Sequence, residues 1–137
     1  MTSQQQPPQG EPTIRTIAMP ADTNPSGDIF GGWLMSQMDL AAGSVAALTS
    51  GGRSATIAVD AMIFHRPVKV GDEVSLYAAL VRLGRTSMTI HVDAWRRLRA
   101  SDKSEMVTEA NFTFVALDDA GNPVPVRSSE QDQPRTS

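Results

Sequence analysis

Gly31-Gly32-Trp33-Leu34-Met35-Ser36-Gln37-Met38-Asp39-Leu40-Ala41-Ala42-Gly43-Ser44-Val45-Ala46-Ala47-Leu48-Thr49-Ser50-Gly51-Gly52 contains a single charged residue, Asp39. Leu34, Met38, Ala41, Val45 and Leu48 recur at helical spacing, which predicts a helix over about residues 30–49. The opposite side is small or apolar as well, with Leu40, Gly43 and Ala47. A helix that is apolar nearly all round is expected in an interior, not lying half in water. At 1.5 Å per residue it spans about 28 Å, enough to cross a small sheet. Gly51-Gly52 is expected to stop it.

The segments around this helix have the character of loops and strands. Upstream, residues 13–19 form a short β-like run ending at Pro20, and residues 20–27 are dense in Pro, Asp, Asn, Ser and Gly, each a turn former. Asp28 is expected to cap the helix, and Gly31-Gly32 let the backbone approach another group. Downstream, strands are predicted over residues 55–64, 73–83, 88–98 and 106–117, with Ile57, Val59, Ala61 and Ile63 on one parity of the first. Tight turns are expected at residues 68–72 and 84–87, so the strands form an antiparallel meander. One strand, one long helix and then four strands imply an α+β domain over residues 13–125, a curved antiparallel sheet of about five strands wrapped around a central helix. The Gln/Pro-rich residues 1–12 and the polar residues 126–137 are expected to be disordered tails. The sheet face away from the helix is left to be covered, and oligomerisation is the expected means.

Composition narrows the function. The chain has 137 residues, 40% of them hydrophobic and 20% charged, with a formal net charge of −3. That suits one globular domain and no nucleic-acid partner. With no cysteine, thiolate nucleophiles, Cys-type zinc sites and disulfides are excluded, in keeping with a cytoplasmic protein. No apolar run approaches a membrane span, and residues 1–10 lack the charged and apolar regions of a leader.

Asp39 is the first candidate for chemistry. A carboxylate on an apolar helix is paired, hydrogen-bonded or functional. It is either a general base or nucleophile, or a structural aspartate held by backbone or an arginine. Asn24 and Asp28, in the loop feeding the helix, either build that loop or orient a water or carbonyl. Gly31 and Gly32 either allow close packing or offer backbone N–H donors to an oxyanion at the positive end of the helix dipole. Arg66, Lys69, Arg82 and Arg85 fall near strand ends and turns, where arginines meet phosphate or stay solvated. His65 and His91 lack metal-site spacing, and His91, mid-strand, is expected to be structural. Nucleophile-elbow, phosphate-loop and dinucleotide motifs are absent.

Residues 18–39, from Ala18-Met19-Pro20 through Asn24-Pro25-Ser26-Gly27-Asp28 to Asp39, resemble the start of the hotdog-fold acyl-CoA thioesterases of the bacterial YciA type. Phe64-His65-Arg66-Pro67-Val68-Lys69-Val70-Gly71-Asp72 and Gly84-Arg85-Thr86-Ser87 resemble the same family. Pro25 departs from it, since a small residue is usual after the asparagine; this stiffens the loop. The resemblance implies a hotdog fold, dimers paired edge to edge, further assembly into a trimer of dimers, and active sites between protomers. It implies hydrolysis of acyl-CoA thioesters to free acid and CoA. Asp39 is the implied catalytic aspartate, as general base or nucleophile, aided by Asn24 or Asp28 of the other protomer. Gly31 or Gly32 would polarise the carbonyl. CoA would lie on Arg66-Pro67-Val68 and Gly84-Arg85-Thr86-Ser87, and the acyl chain along Met35, Met38 and Ala42. Neither a metal nor a cofactor is implied, as coenzyme A is part of the substrate. The alternative is a non-catalytic acyl-CoA-binding or regulatory hotdog module. A hotdog dehydratase would need a site histidine, and the helix stretch has none.

Overall fold

A computed structural model describes residues 6–126; the expectations for residues 1–5 and 127–137 lie outside them. In chain order the elements are β1 (Ile14–Ile17), a 3-10 turn (Pro20–Asp22), α1 (Gly31–Ser50), β2 (Arg53–Val59), β3 (Glu73–Leu83), β4 (Ser87–Arg97) and β5 (Ser104–Leu117). All the strand pairs are antiparallel, in the order β1-β3-β4-β5-β2. The curved sheet packs on α1, the hotdog arrangement. Strands β3, β4 and β5 form the expected meander. The strand after the helix departs from it, since β2 pairs with β5 at the far edge instead of with β3.

Alternation sets the two faces of the sheet. Met88, Ile90, Val92 and Ala94 of β4 are buried against the helix, while Thr89, His91 and Asp93 between them are half-buried on the outer face. Phe112, Phe114, Ala110 and Ala116 of β5 join the same core. The turn into β3 is locked by Asp72, whose carboxylate accepts the Lys69 N–H at 2.9 Å and lies 3.4 Å from Arg96 Nη1. Gly71, at φ +95°, takes the left-handed conformation this turn requires.

Two expectations about packing are corrected. The helix buries a strict every-fourth row, Leu34, Met38, Ala42, Ala46 and Ser50, together with Ala41. Such a row winds obliquely round a helix, so the buried stripe drifts as α1 crosses the twisted sheet. Leu48, expected on the core face, is therefore 86% exposed, and Leu40 is exposed too. The strand expected over residues 55–64 ends at Val59. There the Asp60 carboxylate accepts the Asn111 N–H at 2.9 Å, taking the place of a ladder carbonyl. Beyond it, residues 60–67 follow β5 irregularly, with His65 N–H donating to the Val107 carbonyl and Thr108 to that of Ile63. Ile57 and Ile63, on the parity expected to be apolar, are 61% and 68% exposed. Among the described residues the outer edge of β2 is unpaired.

Candidate active site

The loop before α1 is built by Asn24. Its Oδ1 accepts the backbone N–H groups of Ser26 at 2.9 Å and Asp28 at 3.1 Å, and its own N–H donates to the Asp28 carbonyl at 2.7 Å. Thr23 and Ile29 bridge across the base of the loop, and Gly27 turns it at φ +87°. The amide NH2 of Asn24 has no partner among the described residues. Asp28 faces solvent, 3.7 Å from Lys69 Nζ.

Asp28 does not cap the helix, contrary to expectation. Phe30 is the N-cap, and its side chain makes no capping hydrogen bond to the first turn. The N–H groups of Gly31 and Gly32 therefore remain without partners among the described residues, and the positive end of the helix is open. It faces a cavity of about 430 Å³ whose wall includes Phe30, Gly31, Phe64, Arg66, Pro67 and Val68. An added Cβ at Gly31 would sit 3.4 Å from the Phe64 ring, an ordinary contact distance. The segment expected to hold CoA thus meets the expected carbonyl-polarising end of the helix. Arg66 is anchored there by donating to the Met106 carbonyl at 2.8 Å, with Glu105 3.8 Å away. Hydrogen bonds from Arg96 hold the Glu105 carboxyl below its ordinary range.

Asp39 lies eight residues further along α1, about 12 Å down the axis. It is half-buried on the flank facing β2, where Thr56 Oγ1–H donates to its Oδ1 at 2.6 Å. Oδ2 has no partner among the described residues. Among the described residues neither an arginine nor a backbone N–H bonds the carboxylate. Thr56 carried no signal in the sequence beyond being a hydroxyl in the strand that returns beside the helix. Phe64 was visible only as part of a longer matching stretch.

Other expected site residues are not brought together in one chain. Gly84-Arg85-Thr86-Ser87 turns from β3 into β4, with Gly84 N–H donating to the Ser87 carbonyl at 2.8 Å. A side chain at Gly84 would clash with Ser87 Oγ at 2.6 Å. The carbonyls of Arg85 and Thr86 already accept from Val126 and Ala116. Arg66-Pro67-Val68 lies at the other end of β4, where Arg96 donates to the Pro67 carbonyl at 2.9 Å. Nine strand residues, about 30 Å, separate the two segments. Met38 and Ala42 are fully buried against the sheet, and Met35 is partly exposed on the outer flank.

Comparisons with known proteins agree with this architecture. The sequence profile of the thioesterase superfamily matches residues 26–100. The acyl-CoA thioester hydrolase YciA of Salmonella typhimurium is 48% identical over 129 residues, spanning 92% of this chain and 97% of that protein. The hexameric thioesterase y2039 from Yersinia pestis superposes with a TM-score of 0.82 at 48% identity, over 88% of this chain and 99% of that one. HI0827, a hexameric broad-specificity acyl-coenzyme A thioesterase, gives a TM-score of 0.85 at 41% identity, over 93% and 88% of the two chains. An open helix start above the wall of Phe64, Arg66, Pro67 and Val68, and a lone carboxylate on the same helix, thus occur in a chain that belongs to the thioesterase superfamily.

Proposed function

We propose that the protein hydrolyses acyl-CoA thioesters, releasing the free acid and CoA, at sites each built by two protomers. The observation that carries this reading is Asp39: the one charge on α1, held by Thr56, with its second oxygen unengaged. Relatives similar over most of their length are acyl-CoA thioester hydrolases. Oδ2 of Asp39 takes a proton from water, whose oxygen attacks the thioester carbon. The oxyanion that forms lies against the N–H groups of Gly31 and Gly32. As the C–S bond breaks, the proton passes from Asp39 to the departing sulfur, giving the carboxylic acid and the CoA thiol. Water is the only co-reactant, and CoA enters as part of the substrate.

About 12 Å along one helix is too far for a carboxylate and an oxyanion donor to serve one carbonyl. We therefore place Asp39 of one protomer opposite the helix start of a second. The same pairing brings Arg66-Pro67-Val68 of one chain toward Gly84-Arg85-Thr86-Ser87 of the other, resolving their separation. Of the two candidate helpers, Asn24 fits better, because its NH2 group is unengaged while Asp28 faces Lys69. The acyl chain runs past Met35, with Met38 and Ala42 behind it. The unpaired edge of β2, with Ile57 and Ile63 beside it, is the surface on which the dimer forms. Solved relatives are hexameric, and a trimer of such dimers is the assembly we assign. Among the described residues no helix is long and apolar enough to cross a membrane, and we assign the enzyme to the cytoplasm. No observation favours the non-catalytic module.

Release of CoA thiol from acyl-CoAs of graded chain length tests the reading. Wild type is expected to turn over part of the panel, and Asp39→Asn to be slower by about 10²- to 10⁴-fold on the same substrates. Equal rates in the two proteins would remove Asp39 from the mechanism.

A further inference from the structure

The outer face of the sheet holds a side-chain cluster that the hydrolysis does not use. Elsewhere on β3, β4 and β5, carboxylates meet guanidinium groups. Glu73 lies 3.0 Å from Arg97 and 3.6 Å from Arg15, and Glu105 lies 2.8 Å from Arg96. Asp93 and Glu109 have no such partner among the described residues. They stand directly opposite each other on β4 and β5, a like-charge pair that destabilises a sheet. Their shared partner is His91, whose Nε2 is 2.9 Å from Asp93 Oδ1 and 3.0 Å from Glu109 Oε1. One imidazole brings at most one positive charge against two carboxylates.

The other ring nitrogen is fixed. Asn111, opposite His91 in the ladder, places Oδ1 2.7 Å from Nδ1. With that oxygen as acceptor, Nδ1 carries a hydrogen; Nε2–H donates to the two carboxylates, and a cation bound there takes the place of that proton. Metal-ligating histidines are oriented in this way, by a carbonyl or carboxylate on the nitrogen that does not bind the metal. The three ligand atoms lie within 4.8 Å of one another. Bonds of about 2.0–2.2 Å in a tetrahedral site separate ligands by about 3.4 Å, so the two Nε2–carboxylate separations need to open by only about 0.5 Å. A cavity of about 200 Å³ beside His91 and Asp93, with Glu11, Thr13 and Tyr77 in its wall, has room for water to complete the shell.

We propose that His91, Asp93 and Glu109 form a binding site for one divalent transition cation of the zinc class, with Asn111 as the residue that positions His91. The mixed nitrogen and oxygen donors suit zinc or cobalt above magnesium or calcium. The site clamps β4 to β5 on the face turned away from α1, across the sheet from Asp39. This departs from the structural role expected of His91 when its neighbours in the fold were unknown.

Cobalt(II) titrated into the full chain, freed of metal with a chelator, provides the test. Visible absorption of low-symmetry cobalt and one zinc bound per chain in equilibrium dialysis are expected. His91→Gln and Glu109→Gln should weaken binding at least tenfold, and Asn111→Ala by about ten- to a hundredfold. His65→Gln, at the only other histidine, should bind as wild type does. Zinc should raise the Tm of wild type by more than that of Glu109→Gln at the same concentration, a readout that also confirms folding. Absence of a cobalt spectrum at millimolar metal, or unchanged affinity in His91→Gln, would show an ion-pair cluster only and overturn the proposal.

Discussion

At the level of single residues, the hydrogen bond from Thr56 to Asp39 holds one carboxylate oxygen and leaves the other for water. Hydrogen bonds to charged groups contribute about 1.5–3 kcal/mol. Thr56→Val keeps the shape of the side chain and deletes that bond. It is expected to lower kcat by about ten- to a hundredfold, while Thr56→Ser stays close to wild type; steady-state kinetics on one acyl-CoA separate the two. A Thr56→Val enzyme with normal kcat would show that Asp39 is positioned by other means. Asp39 itself was conspicuous in the sequence because a charge among so many apolar neighbours has few explanations. Thr56 was not, because its meeting with Asp39 depends on how β2 returns beside α1. The unused amide of Asn24 was equally hidden until the loop hydrogen bonds were known.

Among the elements, α1 and β2 show what periodicity captures and what it misses. The helix, its length and its glycine stop follow from residues 31–52 alone. Which stripe it buries does not, because the oblique row from Leu34 to Ser50 answers to the twist of the sheet. Leu48 has the right spacing and the wrong surroundings. Ile57 of β2 and Ile63 in the irregular segment beyond it share the expected apolar parity, yet both are exposed and lie outside the core of their own chain. Burying such a side chain contributes about 1.5–3 kcal/mol. In the proposed dimer a second copy at this unpaired edge would supply that burial. Ile57→Lys puts a charge on the edge without touching the core. It is expected to leave the circular-dichroism spectrum intact, to shift the protein toward monomer in sedimentation, and to reduce thioester hydrolysis in proportion. A fully assembled Ile57→Lys protein would move the dimer contact elsewhere.

For the whole molecule, the α+β class, one helix and five strands were all legible in the alternation of apolar and polar residues. The position of β2 beside β5 was not, since local pattern does not order strands within a sheet. The cluster of His91, Asp93, Glu109 and Asn111 was hidden for the same reason: it exists only in the register of β4 against β5.

With the site shared as proposed, the eight-residue step from Gly31 to Asp39 would make the dimer behave like two half-keys. Gly31→Pro deletes one N–H donor while suiting the first helical position, since Phe30 before it is already extended. Alone it should be slow by about 10²- to 10³-fold, as Asp39→Asn should be for its own reason. Unfolded and refolded together in equal amounts, the two crippled proteins should recover about a quarter of wild-type activity, because half the dimers are mixed and each mixed dimer carries one undamaged site of two. A mixture as inactive as its parts would mean that each chain carries its own complete site. If activity returns, this enzyme's inheritance is dominance in reverse, two recessive lesions masking one another within a single particle.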